Sequence, residues 1–229
     1  MSHFQNLRIP MKSPKTPPST SKHSPPATTA RQPFAVFPEL CSPSPVRLTV
    51  WCKSLLFNGH GYTVFDDADG RMVFRVDNYA HNWREEMVLM DSAGNALLTV
   101  RRCRKILRLM ESWEIYKGDI QVANMAGLQV PIFRATKDMG NSSCSVSIVP
   151  RVGGEASGYW MSWSPDKDWW SKIYRRPAAD DESIVAEVSR KLGASKKALL
   201  DKDVFTLTVQ PGMDQAIAMA MIMITNSMR

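Results

Sequence analysis

The densest run of chemistry-bearing side chains in this 229-residue sequence is basic: Arg101, Arg102, Arg104, Lys105 and Arg108. A second group, Lys172, Arg175 and Arg176, stands beside Trp169, Trp170 and Tyr174. Guanidinium and ammonium groups gathered in this way suit charge-assisted hydrogen bonds to phosphate or carboxylate oxygens. Tryptophan next to cations suits a membrane interface. If the first run is extended, Arg101, Cys103 and Lys105 face one way and Arg102 and Arg104 the other, so at most half of it can share a pocket. The same run also reads as a charged strand edge that resists edge-to-edge pairing. Trp169 and Trp170 fall on opposite faces of a strand, which assigns one of them to the core. Trp160 and Trp163 fall in what reads as an irregular, mobile connection marked by Gly153, Gly154, Gly158, Pro150 and Pro165.

Catalytic chemistry finds little material. His3 and His23 lie among prolines, His60 sits in a Gly-His-Gly turn, and His81 adjoins Asn82 and Trp83 with no nucleophile or carboxylate beside it. Cys41, Cys52, Cys103 and Cys144 form no CxxC pair, which argues against a zinc or redox motif and for reduced thiols. The acidic stretch Asp66, Asp67, Asp69 before Gly70 invites a calcium reading. Counting an EF-hand loop back from that glycine puts Phe65 at position 1 and Val76 at position 12, so a hairpin turn is the better reading. The glycine loop at residues 151–158 lacks a following helix or lysine and does not make a phosphate cradle. No catalytic, metal or cofactor site is expected. The partners expected are anionic membrane lipid, bound peripherally, and other proteins.

The elements that would position these groups begin after an N-terminal tail. Residues 1–45 carry ten prolines interleaved with Ser and Thr, a composition that cannot bury enough surface to offset ordering entropy, and a disordered tail is expected. Of the net charge of +7, +4 belongs to this tail, through Arg8, Lys12, Lys15, Lys22 and Arg31 against Glu39. The remainder is ordinary for a folded domain, which weakens a nucleic-acid role. The tail has the hydroxyl-rich, acid-poor make-up of a transit peptide, but its prolines prevent the amphipathic helix such a peptide needs. Ser13-Pro14, Thr16-Pro17, Ser24-Pro25, Ser42-Pro43 and Ser44-Pro45 are sites where proline-directed phosphorylation could reverse its charge. No secretory apolar run is present at residues 1–10, and the chain is read as cytoplasmic, peripheral at the plasma membrane or nuclear.

From Leu48 the pattern alternates with period two between turn signals, as an antiparallel sheet requires. Two hairpins repeat at a spacing of 24 residues, Gly70 matching Gly94 and Val76 matching Val100. Further strands are predicted at residues 113–117, 120–122, 132–136, 145–150, 169–174, 184–190, 198–200 and 205–209. Segment 184–190 is ambiguous, because Ile184, Val185, Val188 and Leu192 also fit one helix face. The chain closes with an unbroken apolar run, residues 216–224, which shows no polar face as a helix and is too short for the roughly 20 residues of a membrane span. A helix at about residues 213–228 is therefore expected inside a closed sheet. Ala216, Ala218 and Ala220 let strands approach, while Ile217, Met219, Met221, Ile222, Met223 and Ile224 fill the lumen.

With these elements assigned, the chain resembles the plant LURP-one-related family, whose fold is similar to the tubby C-terminal domain and the phospholipid scramblases. The resemblance rests on residues 48–79, the second hairpin at 87–101, RLMESWEIYKGD at 108–119, and SIVAEV through DKDVFTLTVQPGMDQAIAMAM at 183–221. It implies a mainly β fold, a closed antiparallel barrel of about twelve strands around a central hydrophobic helix, over residues 46–229. It implies a non-enzymatic role in plant defence signalling, similar to membrane-tethered transcription factors of the tubby type, with phosphoinositide binding through basic side chains. The alternative is an adaptor that binds proteins without lipid. The chain departs from the family pattern in its Gly- and Trp-rich segment at 138–163 and in ending its helix with ITNSMR.

Overall fold

The computed structural model describes residues 34–54, 61–79, 86–103, 111–120, 130–149, 158–164, 171–176, 183–191 and 203–228. Twelve strands follow one another: β1 (Val46–Ser54), β2 (Gly61–Asp66), β3 (Met72–Tyr79), β4 (Glu86–Asp91), β5 (Ala96–Cys103) and β6 (Ser112–Lys117). They continue as β7 (Phe133–Lys137), β8 (Ser143–Ile148), β9 (Gly158–Trp163), β10 (Ser171–Arg176), β11 (Ile184–Arg190) and β12 (Val204–Val209). Each pairs with its sequence neighbours, and β12 returns to β1, closing the barrel. Every pairing is antiparallel. Closure removes the exposed edges that would otherwise template aggregation.

The lumen is filled by α1 (Gln215–Ser227), in which every residue from Ala216 to Thr225 is buried. A helix apolar on all sides is stable only when enclosed. Burial of each of its large side chains contributes roughly 1.5 to 3 kcal/mol. Inward residues of every strand join it in one buried core, among them Leu48 and Val50 of β1, Leu98 and Val100 of β5, and Met161 of β9. Asp214 caps its start, its Oδ1 accepting the N–H groups of Ala216 and Ile217 at 3.0 and 3.2 Å. At the other end the polar residues are also accommodated. Thr225 is fully buried with its hydroxyl on the Ile222 carbonyl, and the Asn226 amide donates to the Tyr62 hydroxyl.

The 24-residue hairpin repeat is present. Gly70 and Gly94 turn with φ of 72° and 91°, a region open to glycine, and the same geometry recurs at Gly118. The acidic turn at Asp66 to Asp69 is internally satisfied: Asp66 and Asp69 accept the N–H groups of Ala68 and Arg71. Asp67 accepts from the Lys191 ammonium at 2.6 Å. The ambiguous segment is β11, with the expected bounds.

Three expectations change. Residues 158–163 are not an irregular connection but β9, with Tyr159, Met161 and Trp163 in the core and Trp160 outside. The alternation of large core-facing side chains, Tyr159, Met161 and Trp163, outweighs the flanking glycines there. Gly158 is required by close packing, since a Cβ on it would lie 2.0 Å from the Val146 carbonyl oxygen. Second, Ile120 is helical where a strand was expected, and residues 121–122, like the strand expected at 198–200, lie outside the described residues. Third, the last part of the proline-rich segment packs on the barrel: Phe37 is buried, and Val36 and Leu40 pack against the core.

Candidate functional site

The strand ends define two mouths, one where α1 begins and one where it ends. β5 reaches the second mouth with Arg101 and Arg102, whose side chains diverge. Arg102 shares the inward side with Leu98 and Val100, and Arg101 the outward side with Thr99. Arg101 belongs to a row of alternating charge across four strands, in register as Glu86, Arg101, Glu114 and Arg134. The Arg101 Nε lies 2.8 Å from Glu86 Oε1, and the Arg134 guanidinium 2.8 Å from Glu114 Oε1. The Arg101 guanidinium carbon also lies 5.6 Å from the centre of the Tyr116 ring.

Burial alone would raise the Glu114 carboxyl, but hydrogen bonds from Tyr116 and Arg134 outweigh it and hold the group below its ordinary value. Tyr116 is pushed up to about 12 by burial and by donating to that carboxylate. Arg102 bonds Glu111 and lies over the buried Trp113 ring at 5.6 Å, and Lys137 approaches the same Glu111 at 3.6 Å. Both described members of the first basic group therefore face a carboxylate. Arg104, Lys105 and Arg108 lie outside the described residues.

The second group is arranged differently. On β10, Ile173 is a core residue, which places Lys172, Tyr174 and Arg176 on the outer face and Arg175 on the inner one. Trp169 and Trp170 lie outside the described residues. Beside Tyr174 stands Trp160 of β9, which is opposite it in register, with ring centroids 5.1 Å apart. Arg176 is exposed, and Lys172 is half-buried with Glu187 of β11 opposite. Arg175 ends at the helix N-terminal mouth, where its Nε is buried with no acceptor among the described residues. Four strands separate β5 from β10 in one direction and six in the other, so the described members of the two basic groups do not converge.

Two kinds of residue escaped the sequence reading. Trp160 belongs to a strand that the flanking glycines disguise as a loop. Glu86 of β4 pairs with Arg101 and Glu114 of β6 with Arg134; alternation puts each on the outward side, but the pairing needs the strand register.

The LURP-one-related family pattern matches residues 46–226, nearly the whole barrel and helix. The chain belongs to the LURP-one-related family. LURP-one-related 5 of Arabidopsis thaliana is 38% identical over 182 residues, covering 77% of this chain and 80% of that protein. LURP-one-related 8 of the same plant is 34% identical over 198 residues, covering 84% and 94%. A crystal structure of an Arabidopsis thaliana protein shares the fold, with a TM-score of 0.54 at 18% identity, covering 85% of this chain and 98% of that one. In this family member no helix among the described residues is long and apolar enough to cross a membrane. None of their His, Cys, Asp and Glu side chains gather in threes to hold a metal ion.

Proposed function

We propose that this LURP-one-related protein is a non-enzymatic binding module that associates peripherally with anionic lipid, phosphoinositides included, in plant defence signalling. The contact surface is the outer face of β9 and β10. The observation that carries this reading is the Trp160–Tyr174 ring pair set on the same outer face as Lys172 and Arg176. Aromatic rings at headgroup depth with cations beside them combine apolar insertion with attraction to negative lipid. The resemblance to the tubby and scramblase fold implied by the sequence points the same way, and the proposed location is cytoplasmic, peripheral at the plasma membrane or nuclear.

Vesicle sedimentation tests it. The full chain is expected to pellet with phosphatidylserine or phosphoinositide vesicles and not with neutral phosphatidylcholine, and to release as salt rises. Equal pelleting with neutral and anionic vesicles would contradict the reading, as would no pelleting with either. A second reading, a protein-interaction adaptor, is favoured by the face of β4 to β7, whose alternating ion pairs leave little free charge for a headgroup. It predicts a protein partner that stays bound in high salt.

A further inference from the structure

The mouth at which α1 begins is crossed by the segment that precedes the first strand. Val36 and Phe37 both donate their backbone N–H groups to Asp214 Oδ2, at 3.0 and 2.8 Å. The Phe37 side chain enters the core at 7% exposure, with the Lys117 ammonium 5.2 Å from its ring centre. Phe34 stands edge-on to Phe133 with centroids 5.5 Å apart, and its carbonyl accepts from the Tyr159 hydroxyl at 3.5 Å. Asp214 thus serves two elements with one carboxylate, starting α1 through Oδ1 and holding this arm through Oδ2.

These are the contacts by which an extended peptide ligand is held: backbone donors on a fixed acceptor and side chains in adjacent sockets. The attachment is narrow. Phe37 is the one buried residue of the described segment before β1, Phe34 is 44% exposed, and Pro43, Ser44 and Pro45 are exposed between arm and strand. The arm ends in a bridge between Cys41 and Asp214, and just beyond it the Gly212 N–H donates to the Ser42 carbonyl. With the arm in place, the inward-facing Arg175 still has its buried Nε without an acceptor among the described residues.

We propose that residues 34–41 are an exchangeable ligand supplied by the chain itself, and that this mouth is a docking site for an extended segment of a partner protein. The segment it fits has aromatic side chains at its first and fourth positions and free N–H groups at its third and fourth. An acidic or carbonyl group that reaches Arg175 adds a contact the chain's own arm does not make. The arm acts from an effective concentration on the order of millimolar, so an incoming segment binds when it outcompetes the arm or when the arm is weakened.

Hydrogen exchange and peptide binding on the full chain test this together. Under native conditions the Val36 and Phe37 amides are expected to exchange at least tenfold faster than the Ala218 amide inside α1, because the arm opens without unfolding the barrel. A fluorescent peptide of residues 34–42 is expected to bind the Phe34→Ala protein at least tenfold more tightly than the wild type. The same peptide with alanine at both phenylalanine positions is expected to bind neither. Phe34 is largely outside the core, so its replacement leaves the barrel folded. Exchange at Val36 and Phe37 as slow as at Ala218 overturns the proposal by making the arm a permanent part of the fold. Fast exchange without peptide uptake by Phe34→Ala overturns it as well, by removing the docking site.

Discussion

The outer face of β4 to β7 and the outer face of β9 to β10 each carry basic residues, yet they set them among different neighbours. On the first, the register sets Arg101 and Arg134 between Glu86 and Glu114, so each guanidinium is matched by a carboxylate one strand away. On the second, Lys172 and Arg176 flank a tilted Trp160–Tyr174 ring pair; Arg176 is exposed, while Lys172 is half-buried with Glu187 opposite. The basic run is longer in the first region, but charge counted along a chain is not charge available at a surface. In a sheet the neighbours that decide availability are those across the strands.

Both faces depend on the same filled lumen, so the largest expected effect is from breaking it. Met221→Lys sets an ammonium in a helix whose Met221 is fully buried. An unpaired buried charge costs several kcal/mol, a large part of the roughly 5 to 15 kcal/mol that holds a domain together. The expected outcome is loss of folded protein, read by circular dichroism and gel filtration. A variant that keeps the wild-type spectrum would show that α1 is not enclosed.

A smaller effect sharpens the comparison directly. Replacing Glu86 and Glu114 together by Gln removes both carboxylates from the row and leaves Arg101 and Arg134 uncompensated. The expected cost is about 1 to 2 kcal/mol in urea unfolding. The face should also gain binding to anionic vesicles that the wild type lacks there. Unchanged stability and vesicle binding would mean that the row is ornamental.

The smallest effect is on pH dependence. The Glu114 carboxyl is held below its ordinary value in the folded chain, so it adds stability at neutral pH. That contribution is present above the pKa of an unfolded glutamate and fades as pH falls through the lower folded value. Urea midpoints should therefore decline on acidification more steeply for the wild type than for Glu114→Gln. Parallel declines would remove Glu114 as a source of the slope.

Much of the fold was legible in the sequence because it rests on local signals. The glycines at 70 and 94 mark the hairpins, and nine successive apolar residues can only be enclosed. The helix residues from Ile217 to Ile224 lie where their pattern places them. What stayed hidden is non-local. β9 was hidden because glycine reads as flexibility, whereas Gly158 is there to let β8 and β9 approach. Asp214 gave no sign of binding residues 36 and 37, since the contact spans nearly the whole chain. The pairing of Arg101 with Glu86 also needs strand register, which alternation alone does not supply. The candidate contact surface was half legible: Lys172, Tyr174 and Arg176 could be named, but Trp160, which completes it, could not be placed.

The most direct measurement is vesicle sedimentation with two charge changes compared side by side, one on each face. Lys172→Glu with Arg176→Glu is expected to weaken binding to anionic vesicles at least tenfold, while Arg101→Gln leaves it within twofold of the wild type. If Arg101→Gln abolishes binding and the double reversal on β10 does not, the contact lies on β5 and the assignment of the two faces is wrong.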